Sequence, residues 1–177
     1  MKKGFTLTEI MIALAIIAIL SVILVPMIFK LRPNQEVMMT KKAFGQTQTI
    51  ISEMINNENC YPFLYDHVGF GDESDYDNCL VQGGGDRNQK FINLFSEYLN
   101  PIENNGNTLR SKDGMLWTLN SQFTENGGTA TITVDTVPDN VRENDTFTMT
   151  IQANGRIEIA EEWARNAVNT DRSITGQ

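Results

Sequence analysis

The chain opens with a long block of apolar residues. From residue 10 to residue 29 it reads IMIALAIIAILSVILVPMIF, and only Ser21 and Pro26 interrupt the aliphatic character. As an α-helix this block extends about 30 Å, which matches the hydrocarbon core of a bilayer. It therefore predicts a membrane-spanning helix over residues 5–29. The block is too long for a secretory signal peptide, and it lacks a small-residue cleavage site at its end.

A different pattern follows the apolar block. Apolar or weakly polar residues recur at heptad spacing, so one side of a helix carries an apolar stripe while the other side is polar. We therefore predict that the helix continues as an amphipathic segment over residues 30–58, with its stripe packed under a globular head. The stripe consists of the series Val37, Phe44, Ile51 and the series Thr40, Thr47, Met54, widened by Ile50 and Ile55.

Residues 59–177 carry shorter patterns that predict a globular head. Helical spacing over residues 91–99 stops at Asn100-Pro101, and residues 163–168 predict a short C-terminal helix. Together the patterns predict an α+β fold, in which the long N-terminal helix packs against a small antiparallel sheet of three or four strands. Strand-like alternation occurs over residues 115–119, 130–134, 147–152 and 156–159.

The last two strand segments bracket an Asn-Gly pair, Asn154-Gly155. This pair favours a tight hairpin turn in which both central residues have positive φ. We therefore predict a β-hairpin at this point.

Composition narrows the class of partner. Among 177 residues, 14 Lys and Arg stand against 22 Asp and Glu, for a net charge of −8. An acidic surface repels phosphate groups, so no nucleic acid partner is expected. The residues beyond the apolar block suffice for a single soluble domain.

Two cysteines, Cys60 and Cys79, lie in the predicted head. No further residue of metal-binding type clusters with them, which favours a disulfide over a zinc site. Such a bond would stabilise the head by about 3 kcal/mol through the closed loop. Two buried free thiols are the alternative.

The N-terminus carries charged residues of both signs: two lysines before the apolar block and one glutamate at its start. Lys2 and Lys3 precede the apolar block, which favours a cytoplasmic N-terminus and a translocated head. Glu9 stands directly before the aliphatic run, where a carboxylate is unfavourable unless it has a partner. If the chain were cut after Gly4, the new amino group of Phe5 would lie one helical turn from Glu9 and could pair with it, within or between chains.

The N-terminal stretch KKGFTLTEIMIALAIIAIL resembles the N-terminus of type IV pilins and type II secretion pseudopilins. The resemblance implies that prepilin peptidase cuts after Gly4 and methylates the amine of Phe5. It also implies that Glu9 docks on a neighbouring subunit during assembly. Pro26 matches the proline that kinks the membrane helix in this family.

The resemblance implies a division of the chain and a location. Residues 1–4 are the leader, residues 5–29 the transmembrane and assembly helix, residues 30–58 its amphipathic continuation and residues 59–177 the head. The precursor would cross the inner membrane once with its N-terminus in the cytoplasm. It would then enter a periplasmic or extracellular filament.

The function predicted from these features is structural. The chain is expected to be a subunit of a type IV pilus or of a type II secretion pseudopilus that serves protein secretion. Expected partners are other pilin or pseudopilin subunits, in a homo- or hetero-filament, prepilin peptidase and the inner-membrane assembly platform. The alternative is a membrane-tethered extracytoplasmic module that binds a ligand without polymerising.

Neither catalysis nor a cofactor is expected. His67 is the single histidine, and no nucleophile motif accompanies it, so the chain is not expected to be an enzyme. Asp72, Asp75 and Asp77 are candidate calcium ligands, because carboxylate oxygens at this density suit a calcium ion. A solvated acidic loop is the simpler interpretation of these residues.

Overall fold

The structure is a computed structural model that describes residues 7–30, 35–62, 69–74, 77–81, 85–138 and 144–169. The chain forms two compact units, Met1–Gln35 and Glu36–Gln177. Helices and a single antiparallel sheet make up the second unit, so the predicted α+β class is confirmed. The boundaries given above for the leader, the assembly helix, its continuation and the head remain predictions.

The first unit contains helix α1, Leu7–Lys30. Apolar residues occupy almost every position, as expected of the aliphatic run. No helix among the described residues combines the length and the hydropathy that crossing a membrane requires. The membrane span therefore stays a prediction.

Helix α2, Gln35–Ile55, is the first element of the chain whose side chains pack in the core of the second unit. The predicted stripe lies on its inner side, although Val37, Phe44 and Ile55 are half-buried at its edges. Ala43 belongs to the buried face as well, and its small side chain allows close packing. Thr40 and Thr47 are buried without loss of hydrogen bonding, because each hydroxyl donates to a backbone carbonyl one turn earlier in the helix. The buried residues of α2 are Thr40, Ala43, Thr47, Ile50, Ile51 and Met54.

A 3₁₀ turn at Gly69–Gly71 precedes helix α3, Arg87–Leu99. Asp86 caps the N-terminus of α3, since its carboxylate accepts hydrogen bonds from the backbone N–H groups of Asn88 and Gln89. At the other end Asn100 adopts a left-handed conformation, with φ of 49°. The helix therefore stops where Asn100-Pro101 predicts that it should.

Within the described ranges, six strands form one antiparallel sheet in which each strand pairs with the next along the chain. Two of them, β1 and β2, lie outside the prediction of three or four strands. They have only two and three residues, which is too short for alternation to show in the sequence. The strands are β1 Glu103–Asn104, β2 Thr108–Arg110, β3 Leu116–Thr124, β4 Gly127–Asp135, β5 Thr146–Gln152 and β6 Ile157–Ile159.

The central hairpin is longer than predicted. β3 and β4 pair from Leu116 opposite Asp135 to Thr124 opposite Gly127. At the turn end of the hairpin, polar residues and two glycines resemble loop sequence. Phe123 nevertheless continues the alternation of inward-facing side chains and is buried. Burial of this one ring keeps the turn end of the hairpin within the sheet.

The predicted hairpin between β5 and β6 is present, but its turn differs from the prediction. Gln152 and Arg156 close a loop of three residues, Ala153 to Gly155, through a backbone hydrogen bond of 2.8 Å. Within this loop only Gly155 has positive φ, at 83°. The turn is therefore a three-residue loop with a single left-handed glycine, instead of a two-residue turn with two.

Helix α4, Glu162–Asn169, closes the described chain and confirms the predicted C-terminal helix. Ala164 and Ala167 are its buried residues. Trp163 packs edge-on against Phe147 of β5, with ring centroids 6.0 Å apart. The contact ties the C-terminal helix to the core of the sheet.

The inner sheet face, α2 and α3 share one apolar core. Its aromatic centre is formed by Phe70, Phe91 and Phe123, whose ring centroids lie 5.0 to 5.5 Å apart. Trp117 is fully buried and donates its indole N–H to the hydroxyl of Ser111 over 3.1 Å. The outer sheet face is polar and rich in threonine, which suits a solvated surface.

An ion pair links α2 to the turn between β2 and β3. Lys42 lies 2.9 Å from the carboxylate of Asp113, which also accepts a hydrogen bond from Ser111. Partial burial tends to raise the pKa of Asp113, but the bonds from Ser111 and Lys42 and the charge of Lys42 outweigh it and lower the pKa below its usual value. The pair lies largely at the surface, so its stabilising effect is small.

Candidate functional site

The candidate assembly site begins at the first turn of α1. Helix α1 starts at Leu7, and Glu9 is the acidic residue of its first turn. A carboxylate in this position is favoured by the partial positive charge of the helix N-terminus. Gly4 and Phe5, the predicted cleavage and methylation positions, lie outside the described residues. The pairing of Glu9 with the amine of Phe5 therefore stays a prediction.

The side chains of α1 are exposed all around the helix over residues 7–21. Leu7 is 78% exposed, and even Ile10 is 49% exposed. The hydroxyl of Ser21 donates to the carbonyl of Ile17 over 2.7 Å, so this polar group is satisfied within the helix. A helix that is apolar on every side needs an apolar environment, in a membrane or among other helices. This requirement is the main structural indication of function in the first unit.

Pro26 lies within the bounds of α1. A proline inside a helix removes one backbone hydrogen bond and commonly bends the axis. The side chains around Pro26 lie outside the described residues. The kink implied by the family resemblance therefore stays a prediction.

The head contains the disulfide between Cys60 and Cys79, which are separated by 4.7 Å between Cα atoms. Both cysteines are buried. The bond closes the segment that we call the disulfide loop, residues 61–78. Phe70 of this loop reaches the aromatic centre of the core, so the loop is partly a core element instead of a wholly solvated one.

A buried lysine on α3 holds the disulfide loop. Lys90 is fully buried, and its ammonium group donates to the carbonyl of Ser74 over 2.7 Å. The same nitrogen lies 4.0 Å from the carboxylate of Asp72 and 4.5 Å from the ring centroid of Tyr61. All three partners belong to the disulfide loop. Lys90 therefore joins this loop to α3 by charge, hydrogen bonding and a cation–π contact.

The sequence contains a weak signal of this arrangement. Lys90 precedes Leu94 by one helical turn and stands next to Phe91, so it falls on the apolar side of α3. A charged residue on such a side is normally buried only with a partner. The partners could not be named from the sequence, because they come from a loop without periodic pattern.

Tyr61 shows the low polarity of this pocket. Its hydroxyl is buried and has no hydrogen-bond partner in the part of the chain that the structure describes. Burial, and then the charge of Asp72, raise the pKa of Tyr61 far above its ordinary value. The phenol therefore stays neutral, and its ring contacts the ammonium group of Lys90.

The three calcium candidates have different surroundings. Asp72 is buried and faces Lys90, while Asp77 is exposed and Asp75 lies outside the described residues. Among the described residues, no three His, Cys, Asp or Glu side chains are grouped so as to hold a metal ion. The calcium hypothesis remains untested, and the charge of Asp72 is already balanced by Lys90. His67 also lies outside the described residues.

Comparison with known proteins identifies the N-terminal segment. Residues 1–25 match the family model of the prokaryotic N-terminal methylation motif. This is the signal motif of type IV pilins and pseudopilins, so the resemblance seen in the sequence is confirmed over these residues. No curated protein and no solved structure matches the chain. The match covers the segment that contains Gly4, Phe5 and Glu9.

Proposed function

We propose that this chain is a structural subunit of a type IV pilus or a type II secretion pseudopilus. The observation that carries the proposal is the methylation motif over residues 1–25. The exposed apolar side chains of α1 support it, because they require burial against lipid before assembly and against neighbouring helices afterwards. The motif indicates a structural subunit rather than an enzyme.

The proposed precursor is anchored in the inner membrane by α1, with the leader in the cytoplasm. Prepilin peptidase removes residues 1–4 and methylates the new amine on Phe5. The assembly platform then moves the subunit into a filament, where Glu9 pairs with the N-terminus of a neighbour. Such pairing neutralises two charges that are unfavourable in apolar surroundings. The heads form the filament surface.

Intact-mass spectrometry of the membrane-purified chain tests the processing step. From a host with prepilin peptidase, we expect a species that lacks Met1 to Gly4 and carries one additional methyl group. From the same host without the peptidase, we expect the full chain. A chain left uncut in both hosts would contradict the proposal and would favour a head held by a simple membrane anchor.

A further inference from the structure

An open groove of about 460 Å³ lies in the second unit between α2 and the C-terminal end of α3. One wall is apolar, formed by Ile50, Leu99 and the ring of Tyr98. The hydroxyl of Tyr98 accepts a hydrogen bond from the side chain of Asn57 over 3.0 Å, which fixes the ring in place. The groove is lined by Gly45, Gln46, Thr49, Ile50, Glu53, Tyr98 and Leu99.

Two hydrogen-bond acceptors belong to residues that line the groove. The side-chain oxygen of Gln46 is buried and has no partner among the described residues. Glu53 is exposed and forms no ion pair in the described part of the chain. Both groups accept hydrogen bonds, and an aromatic ring lies beside them. A cationic side chain with several N–H donors and an apolar stem fits this chemistry.

In the described part of the head, one exposed arginine without an ion pair matches this requirement. Among the described residues, the other arginines, Arg87, Arg110 and Arg156, are each paired with a glutamate. Arg165 has no ion pair there and is exposed on α4. Lys112, in the turn between β2 and β3, is a second exposed cation without an ion pair in that part of the chain.

Arg165 suits the groove better than Lys112 does. A guanidinium group is planar and carries five N–H donors, so its chemistry suits both the Glu53 carboxylate and the face of the Tyr98 ring. An ammonium group is a compact, strongly hydrated charge.

We propose that the groove between α2 and α3 binds Arg165 of a second copy of this chain. The groove and α4 are different surfaces of the same head. A contact between them is therefore heterologous and can repeat from copy to copy without closing, as a filament requires. This inference rests on the proposed filament function, and it identifies which surfaces of neighbouring heads meet.

Cysteine cross-linking of the full chain tests the contact. The variant Glu53→Cys with Arg165→Cys is produced with the peptidase and the assembly platform, oxidised mildly, and separated without reductant. We expect a ladder of covalent dimers and higher oligomers, because each copy carries both halves of the contact. The matched control, Glu53→Cys with Lys112→Cys, should give no ladder. A ladder that is equally strong in the control would overturn the proposal.

Charge reversal gives a second readout in the same strain. Glu53→Arg and Arg165→Glu should each cause a loss of filaments, whereas the double variant should recover them. Normal filaments in both single variants, or an absent ladder beside normal wild-type filaments, would overturn the contact alone. A ladder without wild-type filaments would support the contact and contradict the filament function. The absence of both ladder and filaments would overturn both proposals.

Discussion

Replacement of Glu9 by alanine should abolish filament assembly while leaving cleavage after Gly4 intact. A carboxylate costs about 2.5 to 3.5 kcal/mol at the centre of a membrane helix and less near its end, where Glu9 lies, so Glu9 is still unfavourable in apolar surroundings unless it is paired. In the proposed filament its partner is the N-terminus of a neighbouring subunit. Alanine lowers the cost of membrane insertion but removes the partner of that amine. Filament yield by electron microscopy and processing by intact mass measure the two effects separately.

The matched control for this variant is Glu58→Ala. Glu58 is an exposed glutamate beyond the end of α2. Its replacement should leave both cleavage and filament yield at wild-type levels. Filaments of Glu9→Ala in wild-type amounts would show that assembly does not need this carboxylate, and the role proposed for Glu9 would then be wrong.

The substitution Lys90→Met should destabilise the head by about 3 to 5 kcal/mol, the usual effect of removing one partner from a buried ion pair. Methionine retains much of the volume, but it leaves the Asp72 carboxylate buried without its cation. The carbonyl of Ser74 also loses the donor that lies 2.7 Å away. Urea denaturation of the full chain in detergent measures the loss, with Trp117 and Trp163 as fluorescent probes.

Two further variants separate charge from packing in this experiment. Lys112→Met removes an exposed lysine and should change stability by less than about 0.5 kcal/mol. Adding Asp72→Asn to Lys90→Met should recover part of the loss, because the buried negative charge that faced Lys90 is removed. Unchanged stability in Lys90→Met would contradict the claim that Lys90 holds the disulfide loop on α3.

The sequence predicts those elements whose signals are local. The stripe through Thr40, Thr47 and Met54 predicts the buried side of α2, and Asn100-Pro101 predicts the end of α3. Strand-like alternation locates the inner residues of β3, β4 and β5, because side chains on a strand point to alternate faces. These patterns suffice for the α+β class.

Features that depend on contacts across the fold lie beyond local patterns. Strands β1 and β2 are held mainly by pairing with their neighbours, and Phe123 extends β3 because it packs against Phe70 and Phe91. The Lys90 pocket unites α3 with a loop that has no periodicity. The groove beside Gln46 likewise lies between two helices, α2 and α3, that are distant in sequence.

The candidate site divides in the same way. Its N-terminal part consists of consecutive residues, so Gly4, Phe5 and Glu9 can be named from the sequence alone. The surfaces through which heads would meet are assembled from α2, α3 and α4, and only the folded structure shows them. The disulfide could be predicted only in part. The presence of two cysteines in the head suggests a bond between Cys60 and Cys79, whereas the contacts of the loop that this bond closes are seen only in the structure.

The central claim is that the chain polymerises, and isolation of filaments tests it most directly. Cells that produce the chain with the peptidase and the assembly platform are sheared or fractionated, and the filaments are analysed by electron microscopy and intact mass. We predict filaments that contain the processed chain, beginning at a methylated Phe5. A processed and methylated chain that remains monomeric in the membrane fraction, with no filament containing it, would contradict the account.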